Sequence, residues 1–174
     1  AVYSTYGMTE TLSHIALRRL NGPMAEAYYS PLPTVKLSLT EDDCLLVSAP
    51  HLGEEAFATN DRAELSADGR FRILGRKDNV VNSGGVKLQI EQLEDKLRPA
   101  MPAPFALSST PDPALGEALV LLIEEGDYDL KELQASLAAL LPRYERPRHI
   151  RQIASIPLAG NGKIDRAALK TYQK

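Results

Sequence analysis

The chain has 174 residues, enough for one ordinary domain or two small ones. Its 44% hydrophobic and 25% charged residues are those of a soluble globular protein, and a formal charge of -3 leaves no basic footprint for nucleic acid or an anionic membrane. The single cysteine, Cys44, excludes an internal disulfide and every multi-cysteine metal site, and His14, His51 and His149 show no metal-ligand spacing.

The longest apolar run, residues 118–123, is too short to span a bilayer, and nothing resembles a signal peptide. A reducing cytoplasm is the plain expectation. The sequence opens at Ala1 without an initiator methionine and reads as a piece of something longer. Close behind comes Tyr6-Gly7-Met8-Thr9-Glu10-Thr11. Its ring offers a face for a purine, Thr9 a hydroxyl for a phosphate oxygen, and Glu10 a carboxylate for magnesium. A strand end followed by a capped helix explains the same residues equally well.

From there to Leu74 the sequence reads as β-rich. Cys44 to Val47 is a short apolar run after an acidic turn, and prolines at 23, 31, 33 and 50 argue against long helices. Asp68-Gly69 predicts a tight primed hairpin turn between Ala63–Ser66 and Arg70–Leu74, with φ > 0 at both central positions. The texture changes after Gly75. Val80-Val81 and Val86-Lys87-Leu88 flank Gly84-Gly85, a glycine-centred hairpin or loop. Ile90, Leu93 and Leu97 share one face of a helix ended by Pro99. Strands follow around 105–107 and 118–123. Asp129 then starts a second helix, with Glu132 placed for a capping box and Leu130, Leu133, Leu137, Leu140 and Leu141 as its apolar stripe. A strand over 149–153 and a short helix from Asp165 complete a β-β-α-β-β-α-β-α order, a small α+β domain. The domain boundary falls near Gly75–Asp78.

Three further segments offer chemistry. Gly75-Arg76-Lys77-Asp78 sits on that boundary, where Arg76 suits an anionic or polyol ligand and Asp78 a solvent-exposed joint; a charged turn is the plain alternative. Asn82-Ser83-Gly84-Gly85 permits close approach of a backbone or ligand, but lacks the Lys-Ser/Thr of a P-loop. Asn161-Gly162-Lys163-Ile164-Asp165-Arg166 sets a lysine on a loop, suited to offsetting charge during transfer at phosphorus, or merely solvated.

In this order these segments resemble the later motifs of the adenylate-forming superfamily, which comprises acyl-CoA synthetases, peptide-synthetase adenylation domains and luciferases. The matching stretches are Tyr6–Glu10, Thr59-Asn60-Asp61, Gly75–Asp78, Ser83–Gly85, Gln89-Ile90-Glu91 through Glu94, and Asn161–Arg166, so the resemblance covers essentially the whole chain. It implies a β-rich end of the large adenylating domain over 1–74, a hinge at 75–78 and a small mobile α+β domain over 79–174. It implies ATP, magnesium and coenzyme A as cofactors or co-substrates, a small-molecule carboxylate as substrate, and the region upstream in the same chain as partner.

By this resemblance Tyr6 lies against adenine with Gly7 beside it, Thr9 bonds the α-phosphate, Glu10 holds the metal and Asp61 takes the ribose hydroxyls. Arg76 sits near ribose and phosphate. Lys163 bridges the substrate carboxylate and the α-phosphate. Asp78 matches the hinge of a domain that swings between two poses, and Gly84 and Gly85 approach the thiol's path in the second. Asn60 stands where the family usually has glycine, and Leu158-Ala159 where Arg-Thr is common. The family's glycine/serine/threonine-rich phosphate loop is not in the sequence, which implies that the chain alone does not catalyse adenylation. Thr11 to Arg18 is similar to the same stretch in o-succinylbenzoate-CoA ligases of menaquinone synthesis, implying that acid as substrate. A fatty or aryl acyl-CoA synthetase and a non-catalytic nucleotide- or partner-binding module are the alternatives.

Overall fold

A computed structural model describes residues 1–53 and 56–173. The chain divides into two compact units, Ala1–Asp78 and Asn79–Lys174. The first is sheet with short 3₁₀ turns and the second adds α-helices, so the chain as a whole is of the α+β class.

In the first unit, β1 (Tyr3–Gly7), β2 (His14–Arg19) and β3 (Ser30–Pro31) form one antiparallel sheet. A second is built in meander order from β4 (Lys36–Leu39), β5 (Cys44–Ser48), β6 (Phe57–Leu65) and β7 (Phe71–Arg76). Ile15, Ala16, Leu45, Val47, Ala63 and Phe71 are buried between them. The sheets are tied by an isolated bridge between Tyr29 and Phe71, whose rings stack at 5.4 Å.

The β6–β7 turn departs from the primed hairpin expected at Asp68-Gly69. Of that pair only Gly69 has positive φ (81°), and its N–H reaches Ser66 C=O at 3.0 Å. The loop is one residue longer than a two-residue turn, and Ser66 N–H pairs with Arg70 C=O at 2.8 Å. Asp68 is not among the residues of positive φ, and its carboxylate accepts from Arg70 Nε at 2.7 Å, so one left-handed residue suffices.

The second unit follows the expected order. β8 (Val80–Ser83) and β9 (Val86–Gln89) make a hairpin. Its turn is the primed one, because Gly84 and Gly85 have φ of 60° and 84°. Then come α1 (Ile90–Leu97), β10 (Phe105–Asp112), β11 (Gly116–Glu124), α2 (Leu130–Leu140), β12 (His149–Ile153) and α3 (Arg166–Leu169). β11 is central: antiparallel to β10 on one side, and on the other parallel to β12 with β8 joined near its start.

Both faces of β11 are covered, which explains its unbroken apolar run. Leu119, Leu121 and Ile123 meet α1 and α2, while Val120 and Leu122 meet Ile153, Ile156 and Leu169. On α2 the buried ridge is Leu133, Leu137 and, just past the helix, Leu141; Leu130 and Leu140, at the helix ends, are exposed. The stripe is therefore narrower than expected. Asp129 caps α2 through the N–H of Lys131 at 2.6 Å, without the reciprocal Glu132 bond of a capping box among the described contacts.

One buried ion pair joins the ends of this unit. Glu94 on α1 is 5% exposed, and its carboxylate accepts Arg166 Nη1 and Nη2, each at 2.7 Å, and the Leu107 N–H at 2.8 Å. Arg166 also donates to Leu107 C=O at 3.0 Å. Among the described residues no helix is long and apolar enough to cross a membrane.

Candidate functional site

Tyr6 is the last regular residue of β1. The β1–β2 register shifts after it, so that Gly7 pairs with His14. A side chain at Gly7 would place its Cβ 2.6 Å from Ser13 O and 2.8 Å from His14 Cα, so glycine is required there by the chain itself. The segment then turns through a 3₁₀ helix, Thr9–Thr11. Buried Thr11 holds the turn: its hydroxyl accepts Met8 N–H at 2.9 Å and donates to Ser13 C=O at 2.6 Å. Thr9 and Glu10 are left exposed on the outside of the turn. The plain reading of this hexapeptide is thus partly realised, as a strand end followed by one tight turn. Beside it lies an open pocket of about 280 Å³, lined by Thr5, Gly7, Met8, Leu12, Ser13 and His14.

The Tyr6 ring packs edge-on against Phe71 at 5.2 Å and tilted against Tyr29 at 6.0 Å. Since Phe71 belongs to the second sheet, this packing brings Tyr6 within reach of β6, and its hydroxyl donates to Asp61 Oδ2 at 2.7 Å. Burial, then the Asp61 bond, holds the Tyr6 phenol above the usual tyrosine range, so it remains a donor. Asp61 is fixed from its own strand too: its N–H donates to Thr59 Oγ1 at 3.1 Å. It pairs in register with Arg76 on β7, and that cross-strand placement sets Arg76 Nη1 3.5 Å from Asp61 Oδ1. Arg76 Nη2 meets Asp78 at 3.2 Å, on the 3₁₀ turn Lys77–Asn79 that ends the first unit and opens the second.

Four expected site residues of the first unit therefore form one hydrogen-bonded chain, Tyr6–Asp61–Arg76–Asp78. Thr59, Tyr29 and Phe71 support it. Thr59 stood in a matched motif without a role, and the pairing of Tyr29 with Phe71 carries no local sequence signal. Among the described residues no group of three or more His, Cys, Asp and Glu could hold a metal, and Glu10 follows Thr9 on the exposed side of the turn. That donor set fits magnesium only as an ion held mainly by substrate phosphates and water.

Gly84, Gly85 and Lys163 lie in the second unit. The two glycines are exposed at the tip of the β8–β9 hairpin, where a Cβ on Gly84 would come within 3.1 Å of Leu115 Cδ2 and one on Gly85 would meet open space. Lys163 is exposed on a defined turn. Leu158 bridges Ile164, Gly162 N–H reaches Ala159 C=O at 2.8 Å, and Ala159 N–H reaches Lys163 C=O at 2.7 Å. Lys163 N–H is held by Asn161 Oδ1 at 3.1 Å, and Asp165 caps α3 through the N–H groups of Ala167 and Ala168. The motif's Asn, Gly and Asp thus build the turn that presents the lysine.

No family model matches the chain. It is 29% identical over 187 residues to the 2-succinylbenzoate–CoA ligase of Lactococcus lactis, covering 97% of this chain and 41% of that protein. The crystal structure of an acyl-CoA synthetase (AMP-forming)/AMP-acid ligase II-like protein from Dyadobacter fermentans is 34% identical with a TM-score of 0.54, covering 99% of this chain and 51% of that one. An E. coli MenE variant with bound OSB-AMS is 26% identical with a TM-score of 0.74, covering 98% and 40%. The chain spans about two fifths of the ligase and half of the Dyadobacter protein. From these likenesses, the chain belongs to the adenylate-forming (AMP-binding) superfamily and corresponds to the C-terminal portion of its fold.

Proposed function

We propose that the chain is the C-terminal part of an AMP-forming carboxylate–CoA ligase. A carboxylate oxygen attacks the α-phosphorus of ATP, the bond to the β-phosphate bridge breaks and pyrophosphate leaves. The sulfur of coenzyme A then attacks the acyl carbon, and AMP leaves with the bonding pair. The observation that carries this reading is the Tyr6–Asp61–Arg76 array, an oriented carboxylate beside a ring and a guanidinium. An acceptor-only group of that kind suits a ribose diol. Thr9 and Glu10 stand free on their turn for the phosphates, with magnesium held chiefly by those phosphates.

Lys163 supplies the charge for the first step. Its ammonium offsets the repulsion between carboxylate and phosphate, and removing a preorganised charge of this type costs on the order of a hundredfold or more in rate. Asp78, the last residue of the first unit, absorbs the backbone change as the second unit alternates between poses. Gly84 and Gly85 then border the thiol's path, so bulky replacements there slow thiolysis more than adenylation. The likeness to 2-succinylbenzoate–CoA ligase supports o-succinylbenzoate as the acid, with the pocket beside Ser13 and His14 receiving part of it. The Dyadobacter likeness, at higher identity, favours a general acyl-CoA synthetase as the second reading.

The test joins the chain behind the large-domain region of a 2-succinylbenzoate–CoA ligase and measures ATP–pyrophosphate exchange across a panel of carboxylates. Exchange with o-succinylbenzoate above all others is expected, and the isolated chain gives none. Lys163→Ala abolishes exchange while thiolysis of added acyl-adenylate persists. Equal loss of both steps would count against the two-pose account, and exchange by the isolated chain would refute its incompleteness.

A further inference from the structure

Asp61 has a rigid backbone but a carboxylate that can still turn about its last side-chain bond, where rotation is soft. Its strand position is fixed by the Thr59 bond and by pairing with Arg76. Arg76 meets the other oxygen, Oδ1, at 3.5 Å from a half-exposed side chain, a longer contact than that of Tyr6. The Tyr6 hydroxyl is different. It lies 2.7 Å from Oδ2 on a ring packed against both Phe71 and Tyr29, so the donor itself has little freedom.

We infer that Tyr6 is a positioning residue for nucleotide specificity: its hydroxyl fixes the Asp61 carboxylate with Oδ1 turned to a ribose diol, and so selects ribonucleotides over 2′-deoxyribonucleotides. This rests on the reading of Asp61 as the ribose acceptor. It assigns the Tyr6 hydroxyl a task separate from the face that its ring offers to a base. A carboxylate has about four acceptor positions. Tyr6 occupies one on Oδ2, and Oδ1, which Arg76 meets at 3.5 Å, keeps a further position for neighbouring hydroxyls.

The experiment uses the joined ligase described above and compares kcat and KM for ATP and 2′-deoxyATP in the parent, Tyr6→Phe, Asp61→Asn and the double variant. Tyr6→Phe keeps the ring and should raise KM for ATP on the order of tenfold, the effect of one hydrogen bond to a charged group, with kcat little changed. KM for 2′-deoxyATP, which keeps only the 3′-hydroxyl, should rise less, so discrimination falls. In the Asp61→Asn background, Tyr6→Phe should add nothing. Unchanged discrimination in Tyr6→Phe, with loss in Asp61→Asn, overturns the role of the hydroxyl. Equal weakening toward both nucleotides also overturns it, since that is the signature of a misplaced ring. Full discrimination in Asp61→Asn overturns the ribose reading itself. Equilibrium binding of AMP against 2′-deoxyAMP gives the same comparison where turnover is too slow to measure.

Discussion

Arg166→Ala is the most informative single change to the fold. It removes the two bonds of 2.7 Å to Glu94 and the bond of 3.0 Å to Leu107 C=O. Glu94 keeps only the Leu107 N–H, in a site where its side chain is 7% exposed. Stripping one partner from a buried pair costs about 3–5 kcal/mol, because the remaining charge is left uncompensated. The Arg166 side chain is 25% exposed, so water enters once it is cut back, and the lower end, about 3 kcal/mol, is expected. For a unit of roughly a hundred residues that is a fall in Tm of roughly 12–24 °C. Urea and thermal denaturation followed by circular dichroism measure it, and hydrogen exchange at the Leu107 amide reports the local change. Glu94→Gln, which removes the charge and keeps an acceptor for Leu107, should cost less. A loss below about 1 kcal/mol in Arg166→Ala, the range of exposed pairs, with Leu107 still protected, would refute the reasoning.

Gly7→Ala drives a Cβ into the Ser13–His14 backbone, which cannot step aside, and should destabilise the chain by about 1–3 kcal/mol in urea titration. Gly160→Ala, at a position with open space around it, should be within about 0.5 kcal/mol of the parent. Stability should also decline in alkali. The Tyr6 phenol is raised in the folded state by burial and by Asp61, and Tyr28 by its bond to Glu64. A raised folded pKa gives stability fully present below the unfolded value of about 10 and lost as pH climbs above it. Denaturation midpoints between pH 8 and 11 should fall, and Tyr6→Phe should flatten part of that slope; an unchanged slope would contradict the burial of the phenol.

The order of elements in the second unit was legible because each signal is local. The doubled glycine at 84–85 sets a primed turn, Asp129 and Asp165 start helices, and the continuous run 118–123 marks a strand covered on both faces. What lay beyond the sequence was pairing over distance. Nothing near Tyr6 names Asp61, 55 residues away, and nothing near Glu94 names Arg166, 72 away, since those meetings depend on how sheets and helices pack. The sheet of β1, β2 and β3 was likewise hidden, because β3 has only two residues and ends in proline. The Asp68-Gly69 turn misled because the dipeptide fits both the primed turn and the longer loop, and the closing pair Ser66–Arg70 decides between them.

The Glu94–Arg166 pair also matters for how the protein behaves among its own copies. β10 ends its sheet, with β11 on its inner side. At Leu107 the outward N–H is taken by Glu94 and the outward C=O by Arg166. A carboxylate and a guanidinium thus offer, side by side, the acceptor and donor that another strand's backbone would bring. Open strand edges invite addition of further strands from neighbouring molecules, and proteins commonly blunt them with charge. Here the ion pair takes up the edge at Leu107, and an added strand would have to displace it to pair there.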